Sequence, residues 1–202
     1  MLTISVHHPQ IRDFIMIKRK LDRVTGANIS IRLSDEFMKA VERDKDVELR
    51  FPVDSDTPQI AVLDSAREIW HEIVMSAHSS AEPGLLFWDN AINLTPSDIY
   101  ADEGFRSTST NPCGEIILSP YDSCRLMLIN LSSFVLNPYM PDSKFDFEAM
   151  SEVTQKAQRL MDDMIDLEVE QVDKIMAKID ADEEPDEVKA IEKNLWIKIK
   201  DM

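Results

Sequence analysis

The chain has 202 residues, of which 22 are basic and 38 acidic, so its formal net charge at pH 7 is −16. This charge argues against a protein that binds nucleic acid directly, because phosphate binding needs clustered lysine and arginine, and the one compact basic run covers only residues 18–20. Hydrophobic residues make up 44% of the chain, enough for a core, yet no apolar stretch approaches the roughly 20 residues that span a bilayer.

The first residues also lack the charged and apolar regions of a signal peptide. We therefore expect a soluble, cytoplasmic protein that has no direct contact with nucleic acid or membrane. The two cysteines, Cys113 and Cys124, are too few for a disulfide framework or a structural zinc site. They remain candidates for redox or nucleophilic chemistry.

The first two thirds of the sequence alternate between strand and helix patterns, which predicts an α/β fold. Alternating or short apolar runs predict the strands. These strands are predicted at residues 2–6, 28–33, 47–51, 85–88 and 125–135. Between 104 and 121 the periodicity disappears, and Ser, Thr, Asn and Pro predict a loop.

Capping residues predict where the helices of this part begin. Pro9 is placed at the first position of a helix that runs to about residue 20. Ser34 is a predicted N-cap for a helix over 35–43, and Ser65 with Glu68 predicts a capping box at the start of the next helix. Residues 95–98 predict a cap for another short helix.

The last third predicts long acidic helices. Apolar residues keep helical spacing from 146 to 179, and a second helix is predicted after Pro185. Residues 142–202 carry 18 acidic and 9 basic side chains, a net charge of −9, which is typical of a solvated helix face. The carboxylates over 162–170 lack the histidines that di-iron bundles use, and His7 and His8 point to opposite faces of a strand, so no metal site is predicted.

The loop over residues 107–115 carries the clearest chemistry. Asn111, Cys113 and Glu115 occupy alternate positions, so an extended loop would project all three to one side. Pro112 and Gly114 between them fix the turn and leave room for a ligand. These residues favour a nucleophilic or redox cysteine with a positioned base. The alternative is a buried cysteine in a Pro/Gly loop.

Several segments together resemble the large, catalytic subunit of ribonucleotide reductase, and they are most similar to its adenosylcobalamin-dependent branch. The resemblance covers nearly the whole chain. Its segments are 24–30 (VTGANIS), 34–38 (SDEFM), 81–89 (AEPGLLFWD), 111–115 (NPCGE), 119–126 (SPYDSCRL) and 157–163 (AQRLMDD). The resemblance implies part of a ten-stranded α/β barrel with a central finger loop over residues 1–141, followed by an acidic helical segment over 142–202.

The resemblance also implies site roles. Cys113 matches the thiyl radical cysteine, Glu115 the general base for the substrate 3′-hydroxyl, and Asn111 the carboxamide that binds the substrate hydroxyls. Cys124 matches one half of the redox-active dithiol, whose partner cysteine is absent from this chain. Ser109 and Thr110, with Asn111, are the expected substrate-binding residues. No metal ligand is expected.

The implied function is reduction of ribonucleoside di- or triphosphates to deoxyribonucleotides for DNA synthesis. We expect adenosylcobalamin as cofactor; the alternative is no cofactor in this chain and a radical supplied by a metal-containing small subunit. The expected partners are the remaining segments of the reductase and a thioredoxin-type reductant. Because segments of the family pattern are missing, we expect the isolated chain to be inactive. The alternative function is a non-catalytic remnant that acts as an acidic binding module.

Overall fold

The computed structural model describes residues 1–19 and 23–201. The chain divides into two compact units, Met1–Pro120 and Tyr121–Met202. The predicted end of the first helix, at Lys20, lies outside the described residues. No helix in the described part combines the length and the apolar character needed to cross a membrane.

The first unit is organised around a parallel sheet of three strands. The central strand, β2, pairs with β1 on one side and β5 on the other, both in parallel. Two antiparallel hairpins, β3 with β4 and β6 with β7, complete the strands. The strands of this unit are β1 (Leu2–Ser5), β2 (Ile29–Leu33), β3 (Asp46–Phe51), β4 (Ile60–Ser65), β5 (Gly84–Phe87), β6 (Ser109–Thr110) and β7 (Ile117–Leu118).

Helices cover one face of this sheet and form the core with it. Ile31 and Leu33 point from β2 into a cluster with Phe37, Ile69 and Ile73, all of which are buried. Burial of a large apolar side chain contributes roughly 1.5–3 kcal/mol, so this cluster stabilises the contact between sheet and helices. The helices of this core are α1 (Ile11–Met16), α2 (Asp35–Glu42) and α3 (Ala66–Ser80), and α4 (Trp88–Leu94), which follows β5, adds no buried residue to it.

The predicted α/β class is confirmed by this arrangement of parallel strands and helices. The three parallel strands form an open sheet, and no sheet of the described residues closes into a barrel. Ser34 is the N-cap of α2, as predicted, since its Oγ accepts a hydrogen bond from the Phe37 N–H at 3.1 Å.

One predicted helix start and the details of two predicted caps need correction. Helix α1 begins at Ile11 rather than Pro9, because residues 6–10 form turns after β1. Ser65 Oγ does accept from the Glu68 N–H, but the Glu68 carboxylate reaches Arg12 instead of returning to the cap. Thr95 makes no side-chain cap for the 3₁₀ helix that follows it, since its hydroxyl donates to the Ala91 carbonyl at 2.6 Å.

The second unit is dominated by two helices, as the sequence predicts. Helix α5 (Phe147–Ala181) begins at Asp146, whose side chain accepts from the Ala149 N–H, and α6 (Asp186–Asp201) follows Pro185. A short antiparallel pair, β8 (Val135–Leu136) and β9 (Lys144–Phe145), precedes α5.

The strand predicted over 125–135 is wrong. Residues 122–130 have no regular secondary structure, and a 3₁₀ helix follows over Leu131–Phe134. Leu126 and Leu128 are 71% and 98% exposed. An apolar run forms a strand only when another strand satisfies its backbone hydrogen bonds, and none of the described strands pairs with this segment.

Candidate active site on the finger hairpin

The predicted loop over 104–121 contains a small hairpin, which we call the finger hairpin (residues 107–119). Its arms are β6 and β7, and Asn111 closes its tip. The Asn111 N–H donates to the Ile116 carbonyl at 3.2 Å, and the Ile116 N–H donates to Asn111 Oδ1 at 3.1 Å. The carboxamide oxygen of Asn111 therefore holds the tip together, while its NH₂ group makes no hydrogen bond to the described residues.

Cys113 and Glu115 are both exposed at this tip. The backbone between them turns at Gly114, whose φ of +81° lies in the left-handed region that favours glycine. The Gly114 N–H donates to the Asn111 carbonyl at 3.1 Å. The three predicted residues are thus brought together by a turn, and the expected extended backbone over 111–115 is wrong.

The finger hairpin lies against the face of the sheet opposite the helices. A Cβ placed on Gly114 would be 3.5 Å from Cδ2 of Leu86 on β5. Leu86 is the register partner of Arg32 on β2, and Arg32 Nη1 reaches the Thr108 carbonyl at 3.4 Å. Paired residues of adjacent strands share a face, so both contacts fall on one side of the sheet.

The base of the finger hairpin is fixed by Asp98. Its Oδ1 accepts from the Ser107 N–H at 3.1 Å, and its Oδ2 accepts from the Ser107 hydroxyl. Ser107 is buried, so these two bonds to a carboxylate satisfy a polar group that water does not reach. Thr110, further along the arm, is also buried, and its hydroxyl donates to the Asn111 carbonyl at 2.9 Å.

The predicted site residues fall in both units, and the structure brings together those of the first unit. Asn111, Cys113 and Glu115 share the tip, and Ser109 and Thr110 form β6 directly before it. Cys124 is a partly buried free cysteine in the second unit. Cys113 is exposed in this structure, which does not match the alternative of a buried structural cysteine at that position.

His7, one of the two adjacent histidines, has a contact at each ring nitrogen. His7 is buried, with Nδ1 3.0 Å from the Glu48 carbonyl and Nε2 2.7 Å from Ser34 Oγ. A carbonyl oxygen only accepts, so Nδ1 carries the proton in the neutral ring and Nε2 accepts from the serine hydroxyl. Within residues 1–19 and 23–201, no three His, Cys, Asp or Glu side chains are grouped as metal ligands would be.

Sequence reasoning missed the residues that support the finger hairpin. Asp98 and Arg32 are distant from the tip along the chain, so no local motif marks them. The sequence did contain one signal. Alternate positions of β1 and β2 are polar, so one face of the sheet is polar, and such a face indicates that the sheet packs there against polar groups rather than an apolar core. These positions are Thr3, Ser5, Ser30 and Arg32.

Comparisons with known proteins identify the family. Residues 1–183 match the family model described as ribonucleotide reductase, barrel domain, and the chain belongs to this family. The predicted family is confirmed, and the relatives described next are named as vitamin B12-dependent reductases.

The chain is 37% identical over 176 residues to the vitamin B12-dependent ribonucleoside-diphosphate reductase of Thermoplasma acidophilum, which covers 85% of this chain and 22% of that protein. It is 35% identical over 168 residues to the protein of the same name from Mycobacterium tuberculosis, covering 83% of this chain and 22% of the relative. A vitamin B12-dependent ribonucleotide reductase of Streptomyces clavuligerus is 28% identical over 185 residues, covering 80% of this chain and 18% of that protein. The chain thus spans about a fifth of the length of these enzymes.

Proposed function

We propose that this chain is a segment of a ribonucleotide reductase catalytic subunit and carries the radical cysteine of its active site. The observation that carries the proposal is the tip of the finger hairpin, where an exposed Cys113 stands between Asn111 and Glu115. A radical cysteine must reach both its radical source and the substrate, and an exposed thiol on a hydrogen-bonded tip meets this need. Membership of the family supports the same assignment.

In the proposed reaction Cys113 acts as a thiyl radical on the substrate ribose. The sulfur takes the 3′ hydrogen atom, so an S–H bond forms as the C3′–H bond breaks. Glu115 takes the proton of the 3′-hydroxyl, which assists departure of the 2′-hydroxyl as water. The hydrogen returns to C3′ at the end because the two bonds are close in strength.

The reduction needs two electrons and two protons: one proton leaves with the 2′-hydroxyl as water, and the other forms the new C2′–H bond. We assign their supply to a dithiol of which Cys124 is one member; it ends as a disulfide and is restored by a thioredoxin-type reductant. The second cysteine must come from another segment, since the chain has only Cys113 and Cys124. The free NH₂ group of Asn111 can donate to the substrate hydroxyls, and Ser109 and Thr110 are proposed to border the bound nucleotide.

Adenosylcobalamin is the proposed cofactor, because the relatives named above are vitamin B12-dependent. When bound, it supplies the carbon radical that takes the hydrogen atom of a cysteine thiol. The exposed sulfur of Cys113 fits this requirement, and we assign no other residue of this chain to the cofactor. A radical from a metal-containing small subunit is the alternative source.

The remaining barrel is proposed to come from other segments of the reductase. Both edge strands of the parallel sheet, β1 and β5, have a free edge within the described residues. Such edges pair readily with further strands. Ribonucleoside di- or triphosphates are the proposed substrates of the completed enzyme.

The second candidate function is a non-catalytic remnant that acts as an acidic binding module. The observation in its favour is the amount of exposed apolar side chain, for example Leu94 at 80% and Ile99 at 81%. A binding module would cover such side chains with its partner protein. Co-purification with the missing reductase segments favours the enzyme, and a stable complex with an unrelated protein favours the remnant.

The test is Cys113→Ser in the enzyme assembled from this chain and the missing segments. We expect loss of deoxyribonucleotide formation with nucleotide binding retained, because serine cannot reversibly abstract the 3′ hydrogen. Glu115→Gln should lower turnover strongly, and Glu103→Gln, which changes another exposed carboxylate of the same unit, should leave it unchanged. Retained turnover in Cys113→Ser would refute the proposal.

A further inference from the structure

A cleft lies at the carboxyl ends of the parallel strands, at the base of the finger hairpin. Its volume is about 670 Å³, within the range of roughly 300–1,000 Å³ that holds small ligands. Ser5, Arg32 and Trp88 line it from the ends of the strands, and Ser107 and Thr108 line it from the hairpin. None of the tip residues 111–115 lines this cleft. In open α/β sheets, ligands bind outside the carboxyl ends of the strands.

The environment of the Arg32 side chain indicates that this cleft binds a ligand with hydrogen-bond acceptors. Its Nε is buried and has no hydrogen-bond partner among the described residues. Its guanidinium stacks on the Trp88 ring at 5.1 Å and makes one long bond, at 3.4 Å, to the Thr108 carbonyl. Burial lowers the pKa of Arg32, and the charge of Asp54, which also lines the cleft, opposes this shift. A buried donor left unpaired costs free energy, which an acceptor in the cleft would recover.

Two more arginines line the same cleft. Arg50 donates from Nε to the Val53 carbonyl at 3.0 Å, and its terminal nitrogens are 3.7 Å from Glu48 and 4.0 Å from Glu36. These carboxylate contacts are long, so the guanidinium keeps donors to spare. Arg106 is exposed and lies directly before the hairpin.

The acidic side chains that line the cleft do not bond all of the arginine donors. Formal charge alone does not decide, because four carboxylates line the cleft beside the three arginines. Asp98 is bound by Ser107 through both oxygens, and Asp89 accepts from the Asp35 N–H at 2.8 Å. The other two face the arginines, since Glu36 lies 4.0 Å from Arg50 and Asp54 raises the pKa of Arg32 through its charge, yet neither bonds Arg32 Nε. The same carboxylates do not form a metal-ligand group within the described residues.

We propose that this cleft binds an oxyanion of the phosphate class, with Arg32 as its central ligand and Arg106 and Arg50 as further donors. Arg32 comes from a strand, Arg50 from the β3–β4 hairpin and Arg106 from the segment before the finger hairpin. Donors from three separate elements suit a tetrahedral anion, which accepts from several directions, better than a planar carboxylate, which one arginine can bind alone. The site is separate from the residues proposed for the radical reaction.

The experiment is calorimetric titration of the 202-residue chain with inorganic phosphate at constant ionic strength, with acetate as the planar comparison. Arg32→Gln should weaken phosphate binding about tenfold or more, since charge-assisted hydrogen bonds are lost. Arg106→Gln, at an exposed position, should weaken it severalfold without affecting the fold. Arg67→Gln is the matched control, because Arg67 lies on α3 outside the cleft and pairs with Asp44 at 3.1 Å.

Far-UV circular dichroism establishes whether each variant is folded. If Arg32→Gln does not fold, the phosphate affinity of Arg106→Gln tests the proposal in its place. The proposal is overturned if the wild-type chain shows no saturable phosphate binding or if acetate binds as tightly as phosphate. It is equally overturned if the folded cleft variants keep the affinity of the Arg67→Gln control.

Discussion

Gly84 offers a direct test of the pairing between β2 and β5, on which the position of the finger hairpin depends. Gly84 lies opposite Ser30 in the register of these strands. A Cβ at position 84 would be 2.7 Å from Ser30 Oγ but 3.7 Å from Ser30 Cβ. Gly84→Ala therefore creates one close contact, and that contact is with a single hydroxyl oxygen.

Two opposing contributions determine how much Gly84→Ala changes the free energy of unfolding. Crowding a packed site costs about 1–3 kcal/mol, and replacing a strand glycine by alanine returns roughly 0.5–1 kcal/mol of chain entropy. The two contributions differ by about 0–2.5 kcal/mol, so we expect Gly84→Ala to lower the free energy of unfolding by about 1 kcal/mol. In the double variant with Ser30→Ala the nearest atom is an ordinary contact, so stability should return to that of Ser30→Ala or above it. Ser30 Oγ makes only a weak contact, 3.7 Å to Met1 Sδ, which that substitution would remove.

Urea unfolding followed by circular dichroism measures all four members of this double-mutant cycle. Gly26→Ala serves as control, since no atom lies within 4 Å of the place that a Cβ at this position would occupy. We expect Gly26→Ala to be neutral or slightly stabilising. The reasoning is refuted if the double variant is as unstable as Gly84→Ala alone, or if Gly84→Ala is as stable as Gly26→Ala.

Two further predictions concern stability. Arg12 donates to both Asp64 oxygens, at 2.9 and 2.8 Å, and this bond holds the pKa of Asp64 below its usual value. A carboxyl group whose pKa is lowered in the folded state stabilises the protein above about pH 4, and this contribution is lost on acidification. Asp64→Asn should therefore lose less stability between pH 5 and pH 3 than the wild type. Equal decreases of the urea midpoint in the two proteins would contradict this. Phe37→Ala should lower the free energy of unfolding by about 3–5 kcal/mol, because Phe37 is fully buried. Leu63→Ala, at a 68% exposed position, should lower it by under about 1 kcal/mol. Similar losses in urea unfolding would contradict the assigned core.

The chemistry of the proposed site could be predicted from sequence because it is local. Asn111, Cys113 and Glu115 lie within five consecutive residues, so any turn at this point keeps them together. Their support could not be predicted in the same way. Asp98 binds Ser107 from nine residues away, and Arg32 reaches Thr108 across 76 positions, contacts that only the folded sheet creates.

The sequence by itself determined the elements whose stability is local. Ser34 and Asp146 mark the starts of α2 and α5 because a capping side chain bonds the backbone of its own helix. The pattern also predicted β1, β2, β3 and β5, but only the tertiary structure decided the conformation of two other apolar segments. The exposed β4 forms by pairing with β3, whereas the more apolar run after Arg125 has no partner among the described strands and stays irregular. The physical reason is that a strand satisfies its hydrogen bonds through another strand, which its own residues cannot specify.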